Sequence, residues 1–233
     1  MKKHLPKLVT AALLSLALAP GANAELLFSD NFDYPVGNLK GLGEWLQYGT
    51  KTAAPVQVIS QSLTYPGYQT AAVGGAFRLS GEQSGSDQSV FHDITGTDTP
   101  KDLYVSALIS VNEVPQDCKA PSISFVSNNY KGYVDTSSPT AKGNIFIQNG
   151  SDATHFKIGL SKSTTTAKAS TEAEFELGKT YCLVMKYEYK PDSNDDLISV
   201  WVNPENENAA PALSSADGTD YSGTYGAVRG ILF

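Results

Sequence analysis

The stretch FELGKTYCLVMKYEYKPDSNDDLISVWVNP, Phe175 to Pro204, decides the fold. From Tyr181 to Tyr189 the odd positions carry Tyr181, Leu183, Met185, Tyr187 and Tyr189, while Lys186 and Glu188 hold even ones and Cys182 and Val184 lie nearer the start. A period of two marks a strand with one buried face, because successive side chains leave opposite sides of the pleat. After the polar loop Asp192–Asp196, Ile198, Val200 and Val202 share one face, and Ser199, Trp201 and Asn203 the other. Two such strands joined by a polar loop predict an antiparallel hairpin, the unit of a β-sandwich.

The same signal recurs outward from the hairpin. Leu103, Val105, Ala107, Ile109 and Val111 alternate cleanly, and shorter strands are expected at Leu26–Phe32, Val56–Tyr65, Phe77–Leu79, Ser89–Ile94, Ser122–Val126, Asn144–Gln148, Phe156–Leu160, Thr171–Leu177 and Ala227–Phe233. Between them lie Gly, Pro, Asn and Asp clusters, including a Gly-rich loop over Tyr34–Thr52, the polar Gly81–Asp87 and the long Ala209–Tyr225. Many short strands with this punctuation predict an all-β, two-sheet antiparallel sandwich. The Ser161–Ser170 patch, SKSTTTAKAS, reads as a tolerant surface loop.

The first 24 residues stand apart. Lys2, Lys3 and Lys7 precede the apolar run Leu8–Ala19, and Ala22-Asn23-Ala24 offers small residues for cleavage. This is the pattern of an export leader, and the run is shorter than the ~20 residues a membrane span needs. The expected division is a leader over 1–24 and one sandwich domain over 25–233, exported to the periplasm, the cell surface or the medium. The chain holds 17 basic and 24 acidic side chains; three of the lysines and none of the acids lie in the leader, so the domain's net charge is −10. Such a surface disfavours nucleic acid, which requires clustered Lys and Arg, and anionic lipid alike; no membrane insertion is expected after leader removal.

Few residues offer chemistry. Beyond the leader the histidines are His92 and His155, neither in a nucleophile motif, and both read as isolated surface residues. Cys118 and Cys182 could form one disulfide in an oxidising compartment; the alternative is a buried Cys182 and an unrelated loop Cys118. Calcium is the cofactor that oxygen-rich loops suggest, and Asp192–Asp196 supplies oxygens without an EF-hand's spacing, so turn chemistry is the stronger reading. Carbohydrate is the partner that aromatic side chains beside amides suggest: Trp201 with Asn203 on the polar face of its strand, and Trp45, Tyr48, Tyr65 and Tyr68 in or beside loops. A sandwich Trp is nevertheless more often core than platform.

The order Gly-Lys-Thr-Tyr-Cys-Leu-Val-Met-Lys-Tyr, acidic loop, Leu-Ile-Ser-Val-Trp-Val-Asn-Pro resembles the central hairpin of concanavalin A-like lectin/glucanase domains, laminin-G-like modules among them. Phe28-Ser-Asp-Asn-Phe-Asp33 is similar to their opening strand, and Pro55–Tyr65 to the strand after their first long loop. The resemblance spans most of Leu26–Phe233 and implies a jelly roll, a fold that hosts lectins, hydrolases, lyases and adhesion modules. It implies calcium near the first strand, at Asp30 and Asp33. For an enzyme of this class it implies acids spaced along one strand, for which Glu172, Glu174 and Glu176 are the candidates, although the usual middle Asp is absent. It also implies a further strand after Ala227–Phe233, lying beside the first strand. The expectation is therefore that the closing C-terminal strand is missing: the sequence is a shortened version of a longer parent, or one sheet stays open. The function so expected is a non-catalytic glycan-binding or cell-surface interaction module, with a glycoside hydrolase or lyase, or a purely structural domain, as alternatives.

Overall fold

A computed structural model describes residues 9–14, 25–48, 51–68, 74–79, 88–94, 102–114, 121–127, 141–190, 194–220 and 228–233. The described residues are all-β, and every strand pair is antiparallel. One sheet runs, in spatial order, β15 (Leu213–Ser215), β14 (Leu197–Val202), β13 (Thr180–Glu188), β7 (Leu103–Val111), β1 (Val9–Leu14), β5 (Ala76–Leu79), β4 (Gln57–Ile59) and β2 (Gly37–Asn38). The other runs β11 (Ala169–Ser170), β10 (His155–Ser161), β9 (Ala141–Asn149), β8 (Ile123–Ser127), β16 (Val228–Leu232), β6 (Ser89–Asp93) and β3 (Leu46–Tyr48), with β12 (Phe175–Glu176) also on β10.

The predicted hairpin is present: Leu183 lies opposite Val202, Met185 opposite Val200 and Tyr187 opposite Ile198. These positions point into one core that draws on both sheets, with Phe77, Ile109, Leu183 and Val200 from the first and Phe125, Ile145, Ile158 and Ile231 from the second. Rings meet across the interface, Phe77 with Phe233 at 4.7 Å, Phe156 with Tyr181 at 5.8 Å and Phe125 with Tyr187 at 6.2 Å. The two sheets thus form a sandwich, and its apolar interior is the main source of stability, at roughly 1.5–3 kcal/mol per large side chain buried.

The edges of the pattern differ from expectation. Leu26–Phe32 forms no strand. Asp30 Oδ1 accepts the Phe32 N–H at 2.7 Å, and Phe32 takes φ 53, which takes the backbone out of the extended region. Val56–Tyr65 shortens to β4 and Thr171–Leu177 to the two-residue β12, while β11 lies just before it, at the end of the patch that reads as a loop. β15 lies in what reads as a loop. β16 is an interior strand, paired to β6 and to β8.

The N-terminal apolar run supplies the least expected element. Val9–Leu14 pairs over six positions with β7 and over three with β5, in the middle of the first sheet. Periodicity alone could not assign it, since one short apolar run satisfies a leader and a buried strand equally well. Gly81–Asp87, Cys118 and Asp192 lie outside the described residues.

Candidate functional site

The outward face of the first sheet carries a second apolar cluster. Leu108 of β7 and Cys182 and Val184 of β13 point away from the main core and are covered by Leu63, with Tyr65, Tyr68 and Trp201 packed around them, each partly exposed. The covering segment is built by the sequence Tyr65-Pro66-Gly67-Tyr68. Proline fixes φ at the second position of the turn, glycine takes φ 81 at the third, and the Tyr68 N–H closes on the Tyr65 carbonyl at 3.1 Å. This is a type II turn, which demands a residue tolerant of positive φ at that third position. It sets one tyrosine at each end, against the sheet that holds Trp201. The Trp201 indole N–H donates to the Ala209 carbonyl at 2.8 Å, which fixes the ring plane.

Burial raises the Tyr68 phenol above its ordinary range, with a smaller push from Cys182 and a partial offset from the neighbouring Ser106. The Tyr68 and Ser106 hydroxyls are neighbours, and among the described residues neither has another hydrogen-bonding partner. Burial also raises Tyr65 and pushes the Cys182 thiol up to about 11. Cys182 is a free, buried thiol and a poor nucleophile at neutral pH. A buried Cys182 not tied to Cys118, the alternative that the sequence left open, is the arrangement found.

The other candidates are dispersed. Trp45 is fully buried and is a core residue, not a platform: its ring packs on Phe28, Phe32, Phe77 and Phe233, and its indole N–H donates to Asp30 Oδ2 at 2.7 Å. The same oxygen accepts the Tyr34 hydroxyl at 2.8 Å. With Phe32 N–H on its other oxygen, Asp30 is a buried bracket for three donors, a poor cation ligand, while Asp33 is exposed. Tyr48 is half-buried on β3, away from Trp201. Asn203, at φ 50, accepts the Cys182 N–H on its side-chain oxygen at 2.8 Å and donates its own N–H to the Cys182 carbonyl at 2.7 Å. Its amide oxygen therefore closes the hairpin end.

The acids at Glu172, Glu174 and Glu176 do not share an extended strand, since only Phe175–Glu176 is β-structure there. Glu174 accepts from Ser151 at 2.7–3.1 Å and lies 3.5 Å from Lys157, while Glu176 pairs with Lys179 at 2.7 Å. Hydrogen bonds from Ser151 and from Lys179 lower the two carboxyls below their ordinary range, the wrong direction for a general acid. His155 is a surface residue paired with Asp152 at 2.8 Å, but His92 is not: it is buried and stacked on Phe28 at 3.8 Å.

A polar cluster unsuspected from the sequence lies at one end of the sandwich. Lys162, in the patch that reads as a tolerant loop, is wholly buried and forms an ion pair with Asp220. Asp217 accepts the Lys162 N–H at 2.7 Å and the Ser161 hydroxyl at 2.8 Å, and Lys142 reaches the Thr219 carbonyl and, at 3.0 Å, its hydroxyl. Asp196, fully buried, accepts the Tyr187 hydroxyl and the Lys190 N–H, and Asp220 also accepts the N–H groups of Asp195 and Asp196 at 2.8 and 3.2 Å.

Carboxylate oxygens of Asp195, Asp196 and Asp220 come within 4.8 Å of one another, the only such metal-sized group among the described residues. The donor set does not suit a cation. The Lys162 ammonium and two backbone N–H groups already face Asp220, and the Tyr187 hydroxyl and an N–H face Asp196. The cluster carries its own cation and ties the β13–β14 connection to β10. Long-range pairing of this kind leaves no local signature, so only the placement of Lys162 and Asp220 exposes it.

Compared with protein-family models, with curated proteins and with solved structures, the chain matches none.

Proposed function

We propose that residues 1–24 are an export leader and that residues 25–233 form a non-catalytic binding module of concanavalin A-like, laminin-G-like type, which engages carbohydrate through its outward aromatic cluster. The observation that carries this reading is that Trp201, Tyr65 and Tyr68 pack on one apolar cluster of the outer face, three partly exposed rings held by a turn and by the Ala209 carbonyl. Rings fixed in this way can stack on the C–H faces of a sugar without losing rotamer freedom on binding. Two of the three acids that an enzyme of this class would use are engaged elsewhere, Glu174 by Ser151 and Lys157 and Glu176 by Lys179.

A glycan array run beside a hydrolysis screen on the same glycans tests the proposal. Saturable binding is expected, weakened at least about tenfold by Trp201→Ala or Tyr68→Ala, with no sugar released; tenfold is what the loss of one stacking contact of about 1.4 kcal/mol produces. Hydrolysis that disappears when Glu172, Glu174 and Glu176 all become Gln would replace it with the enzyme reading. For export, N-terminal sequencing of protein recovered outside the cytoplasm should begin at Glu25, and a chain still beginning at Met1 would overturn the leader.

A further inference from the structure

Cleavage after Ala24 would take β1 out of the middle of the first sheet. Six residues of the leader run occupy the gap between β5 and β7, and once the chain is cut after Ala24 they leave with it. The gap is not superficial. Val9, Ala11 and Leu13 hold the register positions opposite Val111, Ile109 and Ala107 of β7, and Ala11 also lies opposite Phe77 of β5. All four of those partners are core residues. An emptied gap would expose both this apolar floor and the N–H and C=O groups along β7 and β5, and unpaired strand edges recruit other strands.

The gap also has chemistry at its rim. Thr10 lies opposite Arg78 and Ser110, and Leu14 opposite Ser106. Arg78 Nε is buried and has no hydrogen-bond partner among the described residues, and the buried Ser106 Oγ has only the Tyr68 hydroxyl beside it. Directly opposed residues of an antiparallel pair share a face with Cβ atoms ~5 Å apart, so a guest strand with hydrogen-bonding side chains at these two register positions could satisfy them.

We propose that the gap between β5 and β7 is a strand-acceptor site: in the processed chain it is filled by an extended, uncharged segment of about six residues from another polypeptide, antiparallel to both flanking strands, with small or aliphatic residues at alternate positions. Main-chain hydrogen bonds supply the affinity and the alternate positions the selectivity, as in other cases of strand addition. A second copy of this chain is a poorer donor. Its long uncharged apolar runs, such as Leu103–Val111, Ile123–Ser127 and Leu197–Val202, are already committed to sheets and would have to be withdrawn from them. The proposal rests on removal of the leader for its setting, but its test does not.

The experiment starts from the folded full chain carrying a site-specific protease site within residues 15–24. After cleavage the leader fragment should remain with the body on gel filtration and exchange with a labelled peptide of residues 2–16. At a free peptide concentration about 100 times Kd, Tm should rise by about 5–10 °C over the stripped body. Ala11→Pro in the peptide, which removes one N–H and fixes φ, should abolish exchange, and Leu14→Asn should tighten binding several-fold by answering Ser106. A fragment that falls away without change in Tm, with no peptide bound, would overturn the proposal, because β5 and β7 would then have closed on each other. Concentration-dependent dimers that excess peptide fails to disperse would overturn the choice of donor in favour of a second copy. N-terminal sequencing of exported protein decides the leader separately, so the two failures are distinguishable.

Discussion

At position 162 a lysine with no exposed surface forms an ion pair with Asp220 at the end of the sandwich. Removing it leaves the partly exposed Asp220 carboxylate with only backbone N–H donors, which typically costs about 1–3 kcal/mol, so Lys162→Ala should lower the urea midpoint. Lys162→Met combined with Asp220→Asn should recover part of the loss, because no unpaired charge remains and the amide oxygen can still accept from Asp195 and Asp196. Asp196, Asp217 and Asp220 titrate in opposite senses. Burial raises Asp196, despite the hydrogen bonds from Tyr187 and Lys190. For Asp217 and Asp220 burial also raises, but the bonds to Ser215 and Lys162 outweigh it and both end low. A raised carboxyl in the folded state binds protons more tightly than the unfolded chain does, so its contribution improves as pH falls from its folded value toward about 4. The two depressed carboxyls stabilise above about 4, and that part is lost as pH drops through their folded values. Thermal melts should therefore peak in mild acid and fall steeply below about pH 4. Asp196→Asn should flatten the branch between neutrality and the peak while leaving the acid branch in place.

At the scale of single elements, the strands legible in the sequence are those whose partners sit on both sides. β7 and β13 alternate because one face of each meets the main core while the other carries Ser106, Ser110 or Lys186. Leu26–Phe32 misleads for the opposite reason: it is apolar enough for a strand, but the Asp30 side chain takes the N–H that a ladder would need. Trp45 looks like a loop aromatic because its partner Asp30 lies fifteen residues away, beyond any local window. The aromatic cluster was half legible, since Trp201 sits on the polar face of its strand, whereas nothing local joined it to the Tyr65–Tyr68 turn. The hairpin end supplies a test. Asn203 holds a left-handed backbone and accepts the Cys182 N–H, so Asn203→Ala should cost about 1–3 kcal/mol through strain and a lost bond. Asn203→Gly should cost less than Ala, because it keeps the bond lost but relieves the strain; melts of the two variants side by side give the ordering.

For the molecule as a whole, one core fed by both sheets implies one unfolding transition. Far-UV circular dichroism and Trp emission should trace the same urea curve, and separated midpoints would show that the sheets melt independently. The chain's two tryptophans make that emission unusually easy to read. Trp45 is sealed among phenylalanines with its N–H on a carboxylate, while Trp201 is partly open on the outer face. The native spectrum should accordingly resolve into a short-wavelength component that acrylamide scarcely touches and a longer-wavelength component that it quenches readily. Each band then becomes an optical address: a guest settling on the outer face dims or shifts the red one, a disturbance of the sandwich interior moves the blue one, and a single cuvette tells the two events apart.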